Sequence, residues 1–156
     1  MTLANKAITG RKARAYYNSG TFGSPVWVEL THAKDVETPF DKAKISISDR
    51  ASVWDKVAPG QKSGSAKLTY RKRRGTDAAF DALLDSYVDD VILDLLILDG
   101  AVDETGAMGW RFPAMVHEFS RKEGQGDVVE YSFGCEIADT DSAPGTVFEP
   151  VVYVVD

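Results

Sequence analysis

The chain has 156 residues and a mass of 17.0 kDa, a size that suits one domain with enough interior to form a core without staples. It is 44% hydrophobic and 27% charged, and its single cysteine, Cys135, excludes an internal disulfide framework and a Cys-rich zinc site. The net charge of −6 argues against a protein that grips DNA with its whole surface. No apolar run approaches the ~20 residues of a membrane span, and Met1 to Lys12 holds no apolar stretch of secretory-signal length, so a soluble protein made inside the cell is expected.

In chain order, residues 1–20, with Lys6, Arg11, Lys12 and Arg14, read as a basic N-terminal arm, leaving residues 21–156 as a single β-rich domain. Val26, Val28 and Leu30 alternate with Trp27, Glu29 and Thr31, the period of a half-buried strand. Ala43, Ile45 and Ile47 alternate with Lys44, Ser46 and Ser48 in the same way. Asp55 to Gly64 reads as a long polar loop, after which Ala66, Leu68 and Tyr70 alternate with Lys67, Thr69 and Arg71. A helix is predicted over about 76–89: Gly75 breaks what precedes, Thr76 can cap it, and Asp77 sits in the first turn. Phe80, Leu83, Leu84 and Tyr87 give that helix one apolar stripe. Val91 to Leu98 is apolar except for Asp94, which predicts a strand covered on both faces. Asp99 to Gly109 is a second long loop. Met115, His117 and Phe119 then share a strand face, as do Val129, Tyr131, Phe133, Cys135 and Ile137. Val151 to Val155 is the last strand, and Pro150 places its start at an edge or a bulge.

Chemistry is scarce. His32 and His117 lie far apart in no spaced cluster, and His117, on an apolar strand face, reads as a packed, hydrogen-bonded histidine. The Gly60 to Gly64 loop contains Lys62-Ser63 but lacks the glycine before the lysine and the following helix of a phosphate loop. Asp99 to Glu104 and Asp139 to Asp141 lack calcium-loop spacing, there is no Gly-x-Ser-x-Gly nucleophile elbow, and Cys135 reads as an inert core thiol. No catalytic residue, metal site or cofactor is therefore assigned.

Two charge clusters remain. Arg71, Lys72, Arg73 and Arg74 end a strand, either as a solvated terminus or as a partner-facing patch. Asp77, Asp81, Asp85 and Asp89 form an i, i+4 carboxylate stripe whose mutual repulsion costs a few tenths of a kcal/mol per pair. Asp81 and Asp85 are either solvated or opposed by basic groups of a neighbouring subunit. Residues 1–78 carry 15 Lys+Arg and 7 Asp+Glu, a net +8, whereas residues 79–156 carry 3 and 17, a net −14. Kept apart in space, such halves favour a head-to-tail contact, which builds rings or filaments; interleaved in the fold, they neutralise each other locally.

The order of elements carries a resemblance. The strand Ala43 to Ser48 leads to Asp49-Arg50-Ala51-Ser52-Val53-Trp54 at the opening of a long loop, and the strand Ala66 to Arg71 leads to the helix Asp77 to Leu84. Then follow Leu98-Asp99-Gly100, Gly109-Trp110-Arg111-Phe112-Pro113-Ala114, Glu118-Phe119-Ser120-Arg121 and Glu130-Tyr131-Ser132-Phe133. Over about residues 40–137 this set resembles the tail tube (major tail) proteins of long-tailed bacteriophages and, more distantly, the Hcp tube protein of type VI secretion. The resemblance implies a mainly β fold, a β-sandwich or half-barrel of antiparallel strands flanked by one amphipathic helix. It implies a structural subunit, not an enzyme, of a phage or prophage tail: a homohexameric ring that stacks into a tube, made in the bacterial host cytoplasm and placed in the virion tail. Its partners would be itself, a tape-measure protein and a terminator; DNA would pass without tight binding, with no membrane and no small-molecule substrate. By the same resemblance the N-terminal arm and the loop from Arg50 to Gly64 would contact neighbouring subunits or the next ring, with Trp54 an interface anchor unless it folds onto its own sheet. The candidate subunit-interface residues are thus Arg50, Trp54, Arg71, Lys72, Arg73, Arg74, Asp81 and Asp85. The competing readings are another tail or neck component such as a terminator, a secretion tube protein, and a monomeric β-barrel module that binds a small ligand or nucleic acid.

Overall fold

A computed structural model describes residues 13–72, 74–123, 129–138 and 150–156. Nine strands and one helix follow in the order β1 (Arg14–Asn18), β2 (Trp27–Glu29), β3 (Ala33–Glu37), β4 (Phe40–Ser46), β5 (Val57–Arg71), α1 (Ala78–Asp89), β6 (Leu93–Leu98), β7 (Met108–Lys122), β8 (Glu130–Ile137) and β9 (Val151–Val154). All pairings are antiparallel and make one open sheet in the order β2-β1-β6-β7-β8-β5-β3. β4 pairs with the first half of β5, and β9 with the start of β7. The mainly β architecture with one helix is the one expected from the sequence.

The core follows from strand alternation. Ala66, Leu68 and Tyr70 on β5, Phe133 and Cys135 on β8, Phe112, Ala114 and Val116 on β7, and Leu93 and Leu95 on β6 turn to one face. The helix covers that face with Ala79, Phe80 and Leu83. Phe80 lies 4.8 Å from the Tyr131 ring and 5.9 Å from those of Tyr70 and Phe133, within the range of favourable aromatic pairs. The even residues of β6 bury on the other face, where Leu96 and Leu98 join Tyr16 under Trp27, Val102, Tyr153 and Val155. β6 is therefore covered on both sides, as its unbroken apolar run predicts.

Several boundaries differ from the sequence expectation, each for a local reason. Of the basic arm over 1–20, residues 1–12 lie outside the described residues, while from Arg14 the chain is the buried strand β1. Asp77, not Thr76, is the N-cap: its carboxylate accepts the Phe80 N–H at 3.2 Å and the Tyr70 hydroxyl at 2.8 Å. A carboxylate also suits the positive end of the helix dipole. Burial, and next the bond to Asp77, push the Tyr70 phenol far above its ordinary pKa. The segment from Asp55 to Gly64 is not a loop, because β5 begins at Val57 and pairs with β4 from there to Gly64. His117 does not share the face of Phe119. A bulge between Val116 and Glu118 steps the register, leaving His117 exposed, 3.6 Å from Glu136. Next to that bulge the Val116 N–H is taken by Ser86 Oγ at 3.1 Å. That bond satisfies a fully buried hydroxyl in the middle of α1.

Candidate assembly surface

β4 and the first half of β5 form a hairpin that leaves the body of the sheet. At its root Phe40 stacks on Trp110 at 4.7 Å and meets Phe112 edge-on at 5.9 Å. Gly64 makes this possible, since a Cβ there would enter the Phe40 ring. Beyond the root every residue from Asp41 to Ala51 is exposed. Ile45, Ile47 and Val57 are each more than half exposed. The tip is an ordered turn. Ser48 Oγ accepts the Lys56 N–H at 2.9 Å, Asp49 accepts the Ala51 N–H at 2.9 Å, and Ser52 accepts the Trp54 N–H at 3.2 Å. These short-range bonds hold Val53 fully in solvent and leave Trp54 80% exposed, so Trp54 does not fold onto its own sheet.

The remaining interface candidates sit at the opposite end of β5. Arg71 Nε bonds Glu130 at 3.0 Å, and this bond first, with Lys34 nearby, holds the Glu130 carboxyl below its ordinary pKa. Lys72 Nζ lies 4.5 Å over the Phe80 ring. Arg74 is exposed in the turn before the helix, and Arg73 lies outside the described residues. Asp81 and Asp85 are both exposed on the outer face of α1. The structure thus groups Arg50 with Trp54 at the hairpin tip, and Arg71, Lys72 and Arg74 with the helix, rather than uniting all of them.

A buried ion pair that sequence reasoning did not single out lies on the second face of the sheet. Arg111, 8% exposed, bonds Asp94 at 2.6 Å and the Phe22 carbonyl at 3.0 Å. Its guanidinium lies 4.2 Å from the Phe22 ring and 5.0 Å from that of Trp27. Asn18 completes the arrangement, donating to Asp94 at 2.9 Å and accepting the backbone N–H groups of Gly20 and Val26. The pair pins the turn between β1 and β2. Only the lone Asp94 in an apolar strand signalled it.

A cleft of about 1000 Å3 opens between the 13–15 and 29–31 segments and the β3-β5-β8-β7 part of the sheet. Its walls carry both signs of charge, with Arg14, Lys34 and Lys67 set among Glu29, Glu37 and Glu118, and no nucleophile–base pair. Among the described residues there is no group of His, Cys, Asp and Glu able to hold a metal ion, and no helix is long and apolar enough to cross a membrane. Cys135 is buried, which pushes its thiol up to about 12 and keeps it out of thiolate chemistry at neutral pH.

An open antiparallel sheet with one packed helix and a projecting hairpin defines a class of fold, and solved structures of that class are known. The chain is similar to the SPP1 tail tube, with a TM-score of 0.70 and 17% identity over 84% of this chain and 76% of that one. It is similar to a chain in the tail of the empty gene transfer agent particle refined with C6 symmetry, with a TM-score of 0.66 and 13% identity over 85% and 95%. It is also similar to the sheath/tube terminator of the extracellular contractile injection system PVC, with a TM-score of 0.66 and 12% identity over 97% and 99%. No protein-family model matches the sequence, and no curated protein matches it. At these identities the likeness is one of fold: the chain has the fold of tail tube and tube-terminator proteins.

Proposed function

We propose that the protein is a structural subunit that assembles with copies of itself into rings stacked as a phage or prophage tail tube. The single observation that carries this reading is the tail-tube fold combined with a hairpin whose apolar tip is left in water by its own chain. Large exposed apolar groups on an ordered element mark a contact surface, and a heterologous contact of this kind repeats into rings or filaments. Arg50 and Trp54 are the tip residues that would reach a neighbour. Asp85 and Asp89 stand near the negative end of the α1 dipole with no basic residue in the last turn, an arrangement that weakens the isolated helix. A cationic surface on a second copy, to which Arg74 would contribute, offsets it together with Asp81. No catalytic role is assigned. DNA would move through such a tube without tight binding, because a chain of net charge −6 does not gather phosphate.

A second reading has its own support: the match to the PVC tube terminator runs over 97% of this chain, against 84% for the SPP1 tail tube. A terminator would close as one ring without stacking. Electron microscopy and sedimentation of the purified protein at rising concentration separate the cases. Long tubes support the first reading, discrete rings the second, and a solitary particle at millimolar concentration removes both.

A further inference from the structure

The face of the sheet that carries the core does not stop where the core stops. On β7 and β9 the same alternation continues through Met108 and Trp110, which lie opposite Val154 and Val152. These four side chains are 49%, 36%, 52% and 53% exposed. They form one contiguous apolar patch, since cross-strand neighbours on a face lie about 5 Å apart. Phe40 covers part of Trp110 from the root of the hairpin, but the rest of the patch is left in water. Among the described residues its border is acidic. Asp99 and Asp156 follow the strands on the same alternation, and Asp103 and Glu104 stand in the turn that leads to Met108. Between Asp99 and Trp110 there are three acidic residues and no basic one. Arg14, which the register also brings to this end, lies on the opposite face and is bound to Glu29.

We propose that this patch seats the hairpin tip of a second copy of the chain, with Val53 and Trp54 against Val152 and Val154, and with Lys44, Arg50 and Lys56 facing the acidic border. The pairing rests on the self-assembly reading and names its two halves. Among the described residues the tip is a second cluster of exposed apolar side chains that also carries a net positive charge, opposite in sign to the border. Lys44, Arg50 and Lys56 outnumber Asp49 and Asp55 and leave the tip a net +1, whereas the border carries acids alone, of which Asp99 and Glu104 also accept backbone N–H groups. Patch against patch is disfavoured, because two acidic borders would meet. Tip against patch is head-to-tail, so each copy keeps one half free for the next.

Cysteine pairs test this directly, and Cys135 needs no replacement because it is fully buried. A chain carrying Trp54→Cys is mixed with a chain carrying Val152→Cys under mild oxidation. The expected product is one dimer band, at least tenfold above that given by a Trp54→Cys and Lys67→Cys control mixture; the double variant in one chain gives a ladder. In parallel, Val152→Lys with Val154→Lys abolishes assembly while the isolated chain keeps its far-UV circular dichroism and a Tm within a few degrees of wild type. Wild-type assembly that survives the lysine pair, or cysteine mixtures no better than the control, overturns the pairing while leaving self-assembly standing. A wild-type chain that never associates overturns both.

Discussion

The two halves of β5 share one backbone, but only one of them has a second layer to face. From Ser65 to Arg71 the strand lies between β8 and β3, and Ala66, Leu68 and Tyr70 bury fully beneath the helix. From Val57 to Gly64 it pairs with β4, and no side chain there is buried. Hydrogen bonding therefore continues where packing stops. Pairing alone gives a strand its shape, but a two-stranded ribbon with both faces in water is marginal on its own. Here the ribbon is held by its root at Phe40 and Gly64 and by the bonds of its tip. The body supplies the packing, and the hairpin leaves its apolar side chains in water.

That contrast is broken most severely from the body side. Phe133→Ala should cost about 3–5 kcal/mol and lower Tm by roughly 10 °C. Trp54→Ala should leave the Tm of the isolated chain unchanged within about 1–2 °C, as expected of an exposed side chain. Calorimetry of the two variants checks the pair, and a comparable loss in both would mean that the tip belongs to the core. Next in size, Asp94→Ala leaves the Arg111 guanidinium enclosed by Phe22 and Trp27 without its carboxylate. A loss of about 3 kcal/mol is expected in urea unfolding, with loosening of residues 19–26 visible as faster amide exchange. Ser86→Ala removes the acceptor of the Val116 N–H and should cost about 1–3 kcal/mol, read as a fall in the urea midpoint with m unchanged.

The smallest effect concerns pH. The Glu130 carboxyl is lowered by Arg71 and Lys34 in the folded state. Its contribution is present above the ordinary carboxylate pKa and is lost as pH falls through the lowered value. Wild type should exceed Glu130→Gln in Tm at neutral pH, and the gap should close in acid. A gap that widened in acid would reverse the assigned sign.

Much of the fold is legible in the residues. The alternation of Ala66, Leu68 and Tyr70 and of Phe133 and Cys135 marks buried faces because a pleated strand has period 2. The unbroken run at β6 marks a strand covered twice. The stripe of Phe80, Leu83 and Leu84 marks the helix. What misleads has equally specific causes. The segment from Val57 to Gly64 reads as a loop because its strand is solvated on both faces, so no apolar pattern records it. His117 reads as core because a bulge consumes one residue without announcing itself, and β1 reads as an arm because its basic neighbours mask Ala15, Tyr16 and Tyr17. The interface candidates were a mixed set. Trp54 and Arg50 stand free at the tip, while Arg71 and Lys72 are drawn into contacts of their own chain.

By itself the sequence determined a mainly β chain with one amphipathic helix and a cysteine on a buried strand face, since those follow from periodicity and residue type over short spans. Only the tertiary structure decided which apolar residues remain in water. Ile45, Trp54, Trp110 and Val152 are as hydrophobic as the residues of the core, and burial depends on whether another layer lies above a strand face. That is set by partners far away in the chain, and here the chain leaves those places open.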